Sequence, residues 1–248
     1  MRAGRSACAS YARSSTSSRA TDTSAPEQPP PGEQPRSLGI LGGSFNPPHV
    51  GHLAVARHAR AELGLERVVL MPAHTQPVKG PGRDPGPEHR LRMCRLAAAG
   101  AAGVSVCALE IERGGASYTV DTLRSIHASH PHVDLTFIVG ADTAATLPAW
   151  REPEALLELA GLGVAARGGS DRRRVLDALA GLGAGGGDGA RVRFLEMSAI
   201  DVSSSRARER AARGEPIEQL VGPAVADYIA EHRLYRAGAP APSAGGSR

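Results

Sequence analysis

Short apolar runs alternate along this chain with longer stretches in which apolar residues recur at helical spacing. The short runs predict strands at residues 37–41, 68–71, 104–109, 135–139, 163–166 and 192–195. The longer stretches predict helices over residues 50–63, 89–99, 120–129, 153–159, 172–180, 203–213 and 223–231. This alternation is typical of an α/β fold. We therefore expect a Rossmann-like, doubly wound parallel sheet with helices on both faces.

The two ends of the chain lack the alternation. Residues 1–36 are rich in Ser, Pro, Ala and Arg, and residues 237–248 in Ala, Pro, Gly and Ser, so both are predicted to be disordered tails. A single domain is expected over residues 37–236, with a flexible loop at 181–189. The Arg- and Ser-rich first 20 residues also resemble an organellar transit peptide, although a plain disordered extension is the simpler interpretation.

Charge and cysteine content argue against several classes of partner for this protein. The 248-residue chain has a net charge of +4 and no apolar stretch long enough to span a membrane, so no membrane partner is expected. It has no basic stripe with interleaved aromatics, which argues against a nucleic-acid partner and leaves anionic small molecules. Cys8, Cys94 and Cys107 give no metal-ligand spacing, so no metal site is expected. We expect a cytoplasmic location, although the N-terminal composition leaves organellar import open. The sequence does not determine the oligomeric state, and a homo-oligomer is possible.

The first predicted strand ends in a turn suited to phosphate binding. Gly42 and Gly43 leave the strand without side chains, so that the backbone can approach a ligand closely. Ser44 and Phe45 follow, and two prolines then lead into the helix predicted from Val50. The free N–H groups at the start of a helix favour anions, so this turn is a candidate phosphate loop.

Two histidines stand at the start of that helix. His49 and His52 lie three residues apart and therefore share a face. Imidazole N–H groups can bond phosphate oxygens and stabilise charge that develops there. A histidine pair can also ligate a metal, but no third ligand is evident. Gly51 between them is expected to leave room for a phosphate.

A second anion-binding pattern lies near the end of the predicted domain. Ser203, Ser204 and Ser205 precede a helical stretch, where serine hydroxyls and free amides can cap the helix and bind anions. Arg208 falls on the same helical face as Ser204 and Ser205, whereas Arg206 falls on another. Arg208 is therefore the arginine expected to meet phosphate. An ordinary capped helix is the alternative.

Both patterns resemble signatures of the nucleotidylyltransferase superfamily. His49-Val50-Gly51-His52 resembles its (His/Thr)-x-Gly-His motif, and the segment from Gly42 onward resembles bacterial nicotinate-nucleotide adenylyltransferases. Val202 to Arg208 resembles the signature Ile-Ser-Ser-Thr-x-x-Arg, with Ser205 in place of Thr and Arg206 at a commonly apolar position. The resemblance implies transfer of AMP from ATP to nicotinate mononucleotide, with Mg²⁺ accompanying ATP and the second signature holding the ATP β- and γ-phosphates.

The same resemblance assigns substrate-binding residues. It implies that the Tyr118–Thr119 backbone reads the nicotinate carboxylate and that Trp150 stacks on the pyridine ring, although core packing is the alternative for this tryptophan. Gly140 and Asp142 match an Ile-Gly-x-Asp motif and are candidate ATP-binding residues; Asp142 is expected to accept hydrogen bonds from ribose hydroxyls or to cap a helix.

The loop after the second predicted strand is also similar to the family's Met-Pro…Pro-Pro-His-Lys segment. Lys79 matches its lysine and is a candidate substrate contact, whereas Val78 stands where histidine is common. His89 and Arg90 match family positions as well, with a helix-face role as the plainer interpretation.

The implied reaction needs no general base, because the attacking 5′-phosphate is already an anion. Catalysis would then consist of positioning and charge stabilisation, with His49 and His52 at the transferred phosphate and Arg208 at the leaving pyrophosphate. Three alternatives stay open: an adenylyltransferase that prefers nicotinamide mononucleotide or another acceptor, such as phosphopantetheine, a non-catalytic nucleotide sensor, and nucleic-acid binding through the basic tails.

Overall fold

A computed structural model describes residues 35–75, 84–166, 169–182, 191–197 and 200–236. Its strands are β1 (Ser37–Gly43), β2 (Arg67–Pro72), β3 (Val104–Val106), β4 (Asp134–Gly140), β5 (Gly161–Ala166) and β6 (Val192–Glu196). Its helices are α1 (Val50–Glu62), α2 (Pro87–Ala98), α3 (Leu109–Arg113), α4 (Thr119–Ser129), α5 (Ala141–Ala144), α6 (Pro153–Leu159), α7 (Gly169–Leu179), α8 (Ser204–Ala212), α9 (Glu218–Val221) and α10 (Pro223–Glu231).

The strands form one parallel sheet in the order β3-β2-β1-β4-β5-β6. This is the doubly wound order of the Rossmann-like fold and confirms the predicted fold class. The chain winds outward from β1 in one direction and then restarts from its other side at β4. The switch between the two directions leaves a crevice beyond the carboxyl ends of β1 and β4.

The apolar runs became strands because both faces of the sheet are covered. Ile40 of β1 packs in a buried cluster that includes Leu123 of α4, and the adjacent Leu41 packs in another that includes Ala56 of α1. Neighbouring residues of one strand point to opposite faces, so both must be apolar when helices lie on both sides. Each fully buried aliphatic side chain of this kind contributes about 1.5–3 kcal/mol.

Most predicted elements are confirmed within two or three residues, but the strand predicted at 104–109 is wrong at its end. Cys107 N donates the last ladder bond to Leu70 O at 3.0 Å, and Leu109 already begins α3. Glu112 N donates to Ala108 O at 2.9 Å, as in a helix, and Gly114 ends the turn with a φ of 72°. The short helices α3, α5 and α9 were not predicted.

Several expectations fall on residues outside the described ranges. Lys79 and Val78 are among them, as are residues 1–34, 183–190 and 237–248. The proposed tails and domain limits therefore stay predictions. Arg36 is described, and it is tied to the sheet: its backbone N–H donates to Glu66, and its carbonyl accepts from Asp134 N at 2.8 Å. Across the described ranges, the helices are all too short or too polar to cross a membrane.

Candidate active site

A large cavity opens beyond the carboxyl ends of β1, β4 and β5. Its volume is about 1050 Å³. Most of the residues that the sequence singled out line it: Gly42, Gly43, Ser44, Phe45, His49, His52, Thr119, Gly140, Asp142, Trp150, Val202, Ser203, Ser204, Ser205 and Arg208. The fold therefore brings together segments that are up to about 160 residues apart in sequence. Tyr118 is not among the lining residues.

The two histidines lie against each other at the start of α1. Their ring centroids are 3.6 Å apart with an interplanar angle of 22°, and Phe45 meets His52 edge-on at 4.9 Å. His49 is the N-cap residue, and its backbone N–H donates to Nδ1 of His52 at 3.1 Å. This bond fixes the orientation of the His52 ring. Burial lowers the pKa of His49 to about 4, so its imidazole is neutral near pH 7 in the absence of a ligand.

Gly51 lines the cavity, but the position that a Cβ would take is already occupied by neighbouring side chains, and room for a phosphate beside it stays a prediction. A Cβ at Gly51 would lie 2.9 Å from Cγ1 of Val202 and 3.1 Å from Nδ1 of His49. A carbon atom does not fit at these distances without displacing its neighbours. Gly51 therefore allows the segment before α8 to pack directly on the first turn of α1.

Two side chains of α8 bind the candidate phosphate loop directly. Nη1 of Arg208 donates to the carbonyl of Asn46 at 2.6 Å, and Oγ of Ser204 donates to the carbonyl of Pro47 at 2.9 Å. Nη2 of Arg208 also donates to Oγ of Ser205 at 3.1 Å. The two anion-binding patterns are thus one hydrogen-bonded unit.

The start of α8 follows the capping chemistry expected from its serines. Ser203 is the N-cap, and its Oγ accepts from Arg206 N at 3.2 Å. The Arg206 side chain pairs with Asp201 at 2.7 Å, whereas Arg208 on the next face lines the cavity. This arrangement agrees with the helical-face argument that separated the two arginines.

A buried arginine that sequence reasoning treated as a helix-face residue holds the loops around the cavity. Arg90 of α2 is only 2% exposed and lines the cavity. Its Nη1 donates to the carbonyls of Ser44 at 2.9 Å and Ala73 at 2.6 Å. Its Nη2 donates to the carbonyl of His74 at 2.7 Å, and its Nε to Asp84 at 3.0 Å. One guanidinium therefore joins the loop after β1 to the loop after β2.

The segment before α4 is fastened to the loop after β2. His74 N donates to Oγ of Ser117 at 3.0 Å, and Ser117 N donates to the carbonyl of Thr75 at 2.9 Å. Thr119 begins α4 at the cavity wall, so free N–H groups of an 11-residue helix lie at this end of the site. This geometry suits the binding of a carboxylate.

A buried carboxyl lies beneath the same segment and was missed by the sequence reasoning. Glu110 of α3 is 7% exposed, and it accepts a hydrogen bond from Oγ1 of Thr122 at 2.6 Å. Arg113 donates to the same hydroxyl at 3.0 Å. Burial is the main cause that raises the pKa of Glu110, opposed by the bonds from Thr122 and Ser117. A glutamate in an otherwise apolar stretch was the available signal.

Two aromatic residues that the sequence singled out, Trp150 and Tyr118, have defined partners in the structure. Trp150 is half-buried, and its Nε1 donates to Oγ1 of Thr146 at 3.1 Å. Its ring meets Phe137 of β4 edge-on at 6.0 Å. Trp150 thus both packs against the core at Phe137 and lines the cavity. Tyr118 lies under the guanidinium of Arg151, 4.9 Å from ring centroid to Cζ.

Gly140 and Asp142 lie where β4 ends. Gly140 is the N-cap of α5, so the N-cap alternative for Asp142 is wrong. The Asp142 side chain is 86% exposed at the cavity and pairs with Arg174 of α7 at 2.5 Å. The carboxylate therefore lies beside the opening in a solvent-exposed ion pair.

Comparison with known proteins identifies the family of this chain. A family model described as cytidylyltransferase-like matches residues 40–210. A protein of Symbiobacterium thermophilum named "Probable nicotinate-nucleotide adenylyltransferase" is 40% identical over 202 residues, which cover 81% of this chain and 96% of the relative. A protein of the same name from Roseiflexus sp. is 42% identical over 201 residues, covering 80% and 98%.

Solved structures agree in fold. The Plasmodium falciparum nicotinic acid mononucleotide adenylyltransferase complexed with NaAD superposes with a TM-score of 0.63. The two share 19% identity, and the alignment covers 80% of this chain and 97% of that one. Because the sequence matches cover nearly the full length of the relatives, the chain belongs to the nicotinate-nucleotide adenylyltransferases, a family of cytidylyltransferase-like enzymes.

Proposed function

We propose that this protein transfers the adenylyl group of ATP to nicotinate mononucleotide, giving deamido-NAD and pyrophosphate. One observation carries the proposal beyond family membership. The histidine pair and the serine–arginine helix are joined at one end of the cavity by the bonds from Arg208 and Ser204 to the loop carbonyls. A site that only sensed a nucleotide would not need both ends of a triphosphate held.

The donor half of the reaction follows from these positions. The acceptor's phosphate oxygen attacks the α-phosphorus of ATP, and the bond from that phosphorus to the bridging oxygen of pyrophosphate breaks. His52 and His49 would donate N–H bonds to the transferred phosphate as charge builds there. Arg208, Ser204 and the N-terminus of α8 would stabilise the leaving pyrophosphate.

The acceptor half would be formed by the N-terminus of α4 and the segment before α6. Thr119 at the N-terminus of α4 would receive the nicotinate carboxylate, and the Trp150 ring would stack on the pyridine. Asp142 would instead accept hydrogen bonds from the ribose hydroxyls of ATP, since its carboxylate stands just beyond the end of β4. Tyr118 would contribute its backbone, and Lys79 is proposed as a further phosphate contact.

Mg²⁺ would enter with ATP. The described residues include no group of three or more His, Cys, Asp or Glu side chains placed to hold a metal ion, so they do not fit a dedicated metal site. A magnesium ion carried in with ATP would neutralise part of the triphosphate charge.

The proposal is tested by measuring pyrophosphate release from ATP with three acceptors in parallel: nicotinate mononucleotide, nicotinamide mononucleotide and phosphopantetheine. We expect the highest kcat/KM with nicotinate mononucleotide, with deamido-NAD as the adenylylated product. A higher kcat/KM with either other acceptor would reassign the substrate. ATP binding without pyrophosphate release for any acceptor would favour a sensor.

A further inference from the structure

A buried tyrosine near the end of the described chain reaches the phosphate loop. Tyr235 follows α10, and its side chain is 5% exposed. Its hydroxyl donates to Oδ1 of Asn46 at 2.7 Å, across 189 residues of sequence. Asn46 lines the cavity and Tyr235 does not. The tyrosine can therefore act on a ligand only through its neighbours.

The loop at Asn46 is bound both by helix α8 and by the segment after α10. Its side-chain oxygen accepts from Tyr235, and its backbone oxygen accepts from Nη1 of Arg208 at 2.6 Å. The next residue, Pro47, accepts from Ser204 of the same helix, α8. Displacement of Asn46 would therefore move the acceptor that orients the Arg208 guanidinium.

The Tyr235 ring is itself positioned by the helix that carries Arg208. It packs in an apolar cluster with Ala207 and Ala211 of α8 and with Ile229 of α10. Burial raises the pKa of the Tyr235 hydroxyl well above its usual range, so it remains a proton donor throughout the working pH range. The hydroxyl thus presents a fixed donor to the loop.

We propose that Tyr235 is a positioning residue of the ATP-phosphate site, which holds Asn46 and thereby aligns Arg208 with the triphosphate. The proposal rests on the proposed function for the identity of the nucleotide. We expect Tyr235 to affect the binding of ATP and not that of nicotinate mononucleotide. The segment before α4, which is proposed to bind the nicotinate carboxylate, is held by contacts of Ser117 and Thr122 instead.

The test is the variant Tyr235→Phe, which removes one hydroxyl and keeps the ring packed against α8. Tyr228→Phe is the matched control, since its hydroxyl bonds to Nδ1 of His89 at 2.9 Å and neither residue lines the cavity. We expect Tyr235→Phe to lower kcat/KM for ATP about tenfold, with the KM for nicotinate mononucleotide changed less than about twofold. Tyr228→Phe should leave both constants near those of the wild type.

A double-variant cycle separates positioning from general stability. If Tyr235 acts through Asn46, adding Tyr235→Phe to Asn46→Ser should lower kcat/KM for ATP by less than about twofold further. The proposal is overturned if Tyr235→Phe keeps its ATP constants within about twofold of wild type, if it changes the two substrates equally, or if the two changes are additive.

Calorimetric titration with ATP keeps this test separate from that of the proposed function. Weaker ATP binding by Tyr235→Phe than by Tyr228→Phe supports the positioning role even if no acceptor is adenylylated. Equal binding by both variants, with a wild-type enzyme that forms deamido-NAD, overturns the positioning role and leaves the function intact.

Discussion

Replacement of Arg90 by methionine tests the structural account of the cavity. Methionine keeps an apolar stem in the buried site but removes every donor. The carbonyls of Ser44, Ala73 and His74 then lose bonds of 2.9, 2.6 and 2.7 Å, and Asp84 loses its ion pair but keeps the bond from Gly86 N. Asp84 is 44% exposed and can be hydrated by water, so the three carbonyls dominate the cost.

The magnitude follows from the number of bonds. Each of the three buried or half-buried carbonyls left without a donor costs about 1–2 kcal/mol, so the free energy of unfolding should fall by roughly 3–6 kcal/mol. For a domain of this size, such a loss lowers Tm by roughly 10 °C. Because the same guanidinium joins two loops at the cavity, KM should rise for both substrates at temperatures where the variant is folded.

Urea unfolding of Arg90→Met, followed by circular dichroism, provides the assay. Arg92→Met is the control, since Arg92 lies on the same helix with an exposed side chain. The control should unfold within about 0.5 kcal/mol of the wild type. An Arg90→Met protein as stable as the control would refute the assigned role of the buried guanidinium.

Three further predictions concern individual cavity residues. Arg208→Ala should lower kcat on the order of 100-fold, whereas Arg206→Ala, whose partner is Asp201, should change it less than about threefold; comparable losses in steady-state assays would contradict the assignment. Because burial lowers the pKa of His49 to about 4, the unfolded chain binds the proton more readily between about pH 6.5 and 4, and stability is lost as pH falls through that window. Tm measured against pH should fall less steeply there for His49→Asn, and parallel profiles would count against a buried neutral imidazole. Trp150→Leu should raise KM for nicotinate mononucleotide about tenfold with little change for ATP, and an unchanged acceptor KM would mean that this ring only packs on the core.

The sheet could be predicted from the sequence because buried parallel strands are continuous apolar runs. The run Leu135 to Val139 is apolar except for Thr136, and the strand formed there. The junction at Leu109 could not be predicted, since one apolar residue fits the end of a strand as well as the start of a helix. Helices α5 and α9 have only four residues each, too few to show a helical period.

The cavity position of the side chains proposed to bind phosphate could be predicted because each motif is local: His49 and His52 belong to one turn, and Ser204 and Arg208 to another. The supporting side chains could not. Arg90 bonds mainly to backbone carbonyls, which any residue type provides, and Tyr235 meets a partner 189 positions away. Sequence patterns therefore indicated the groups proposed to meet phosphate, whereas the structure was needed to find what holds them.

The most direct test of the central claim compares wild-type enzyme with His52→Ala. Formation of deamido-NAD from ATP and nicotinate mononucleotide is measured at saturation, with circular dichroism to verify the fold and calorimetry to measure ATP binding. We predict that kcat falls at least about 100-fold while the protein stays folded and its affinity for ATP changes only a few-fold. A folded variant that turns over at nearly the wild-type rate would contradict the claim that the histidine pair stabilises the transferred phosphate.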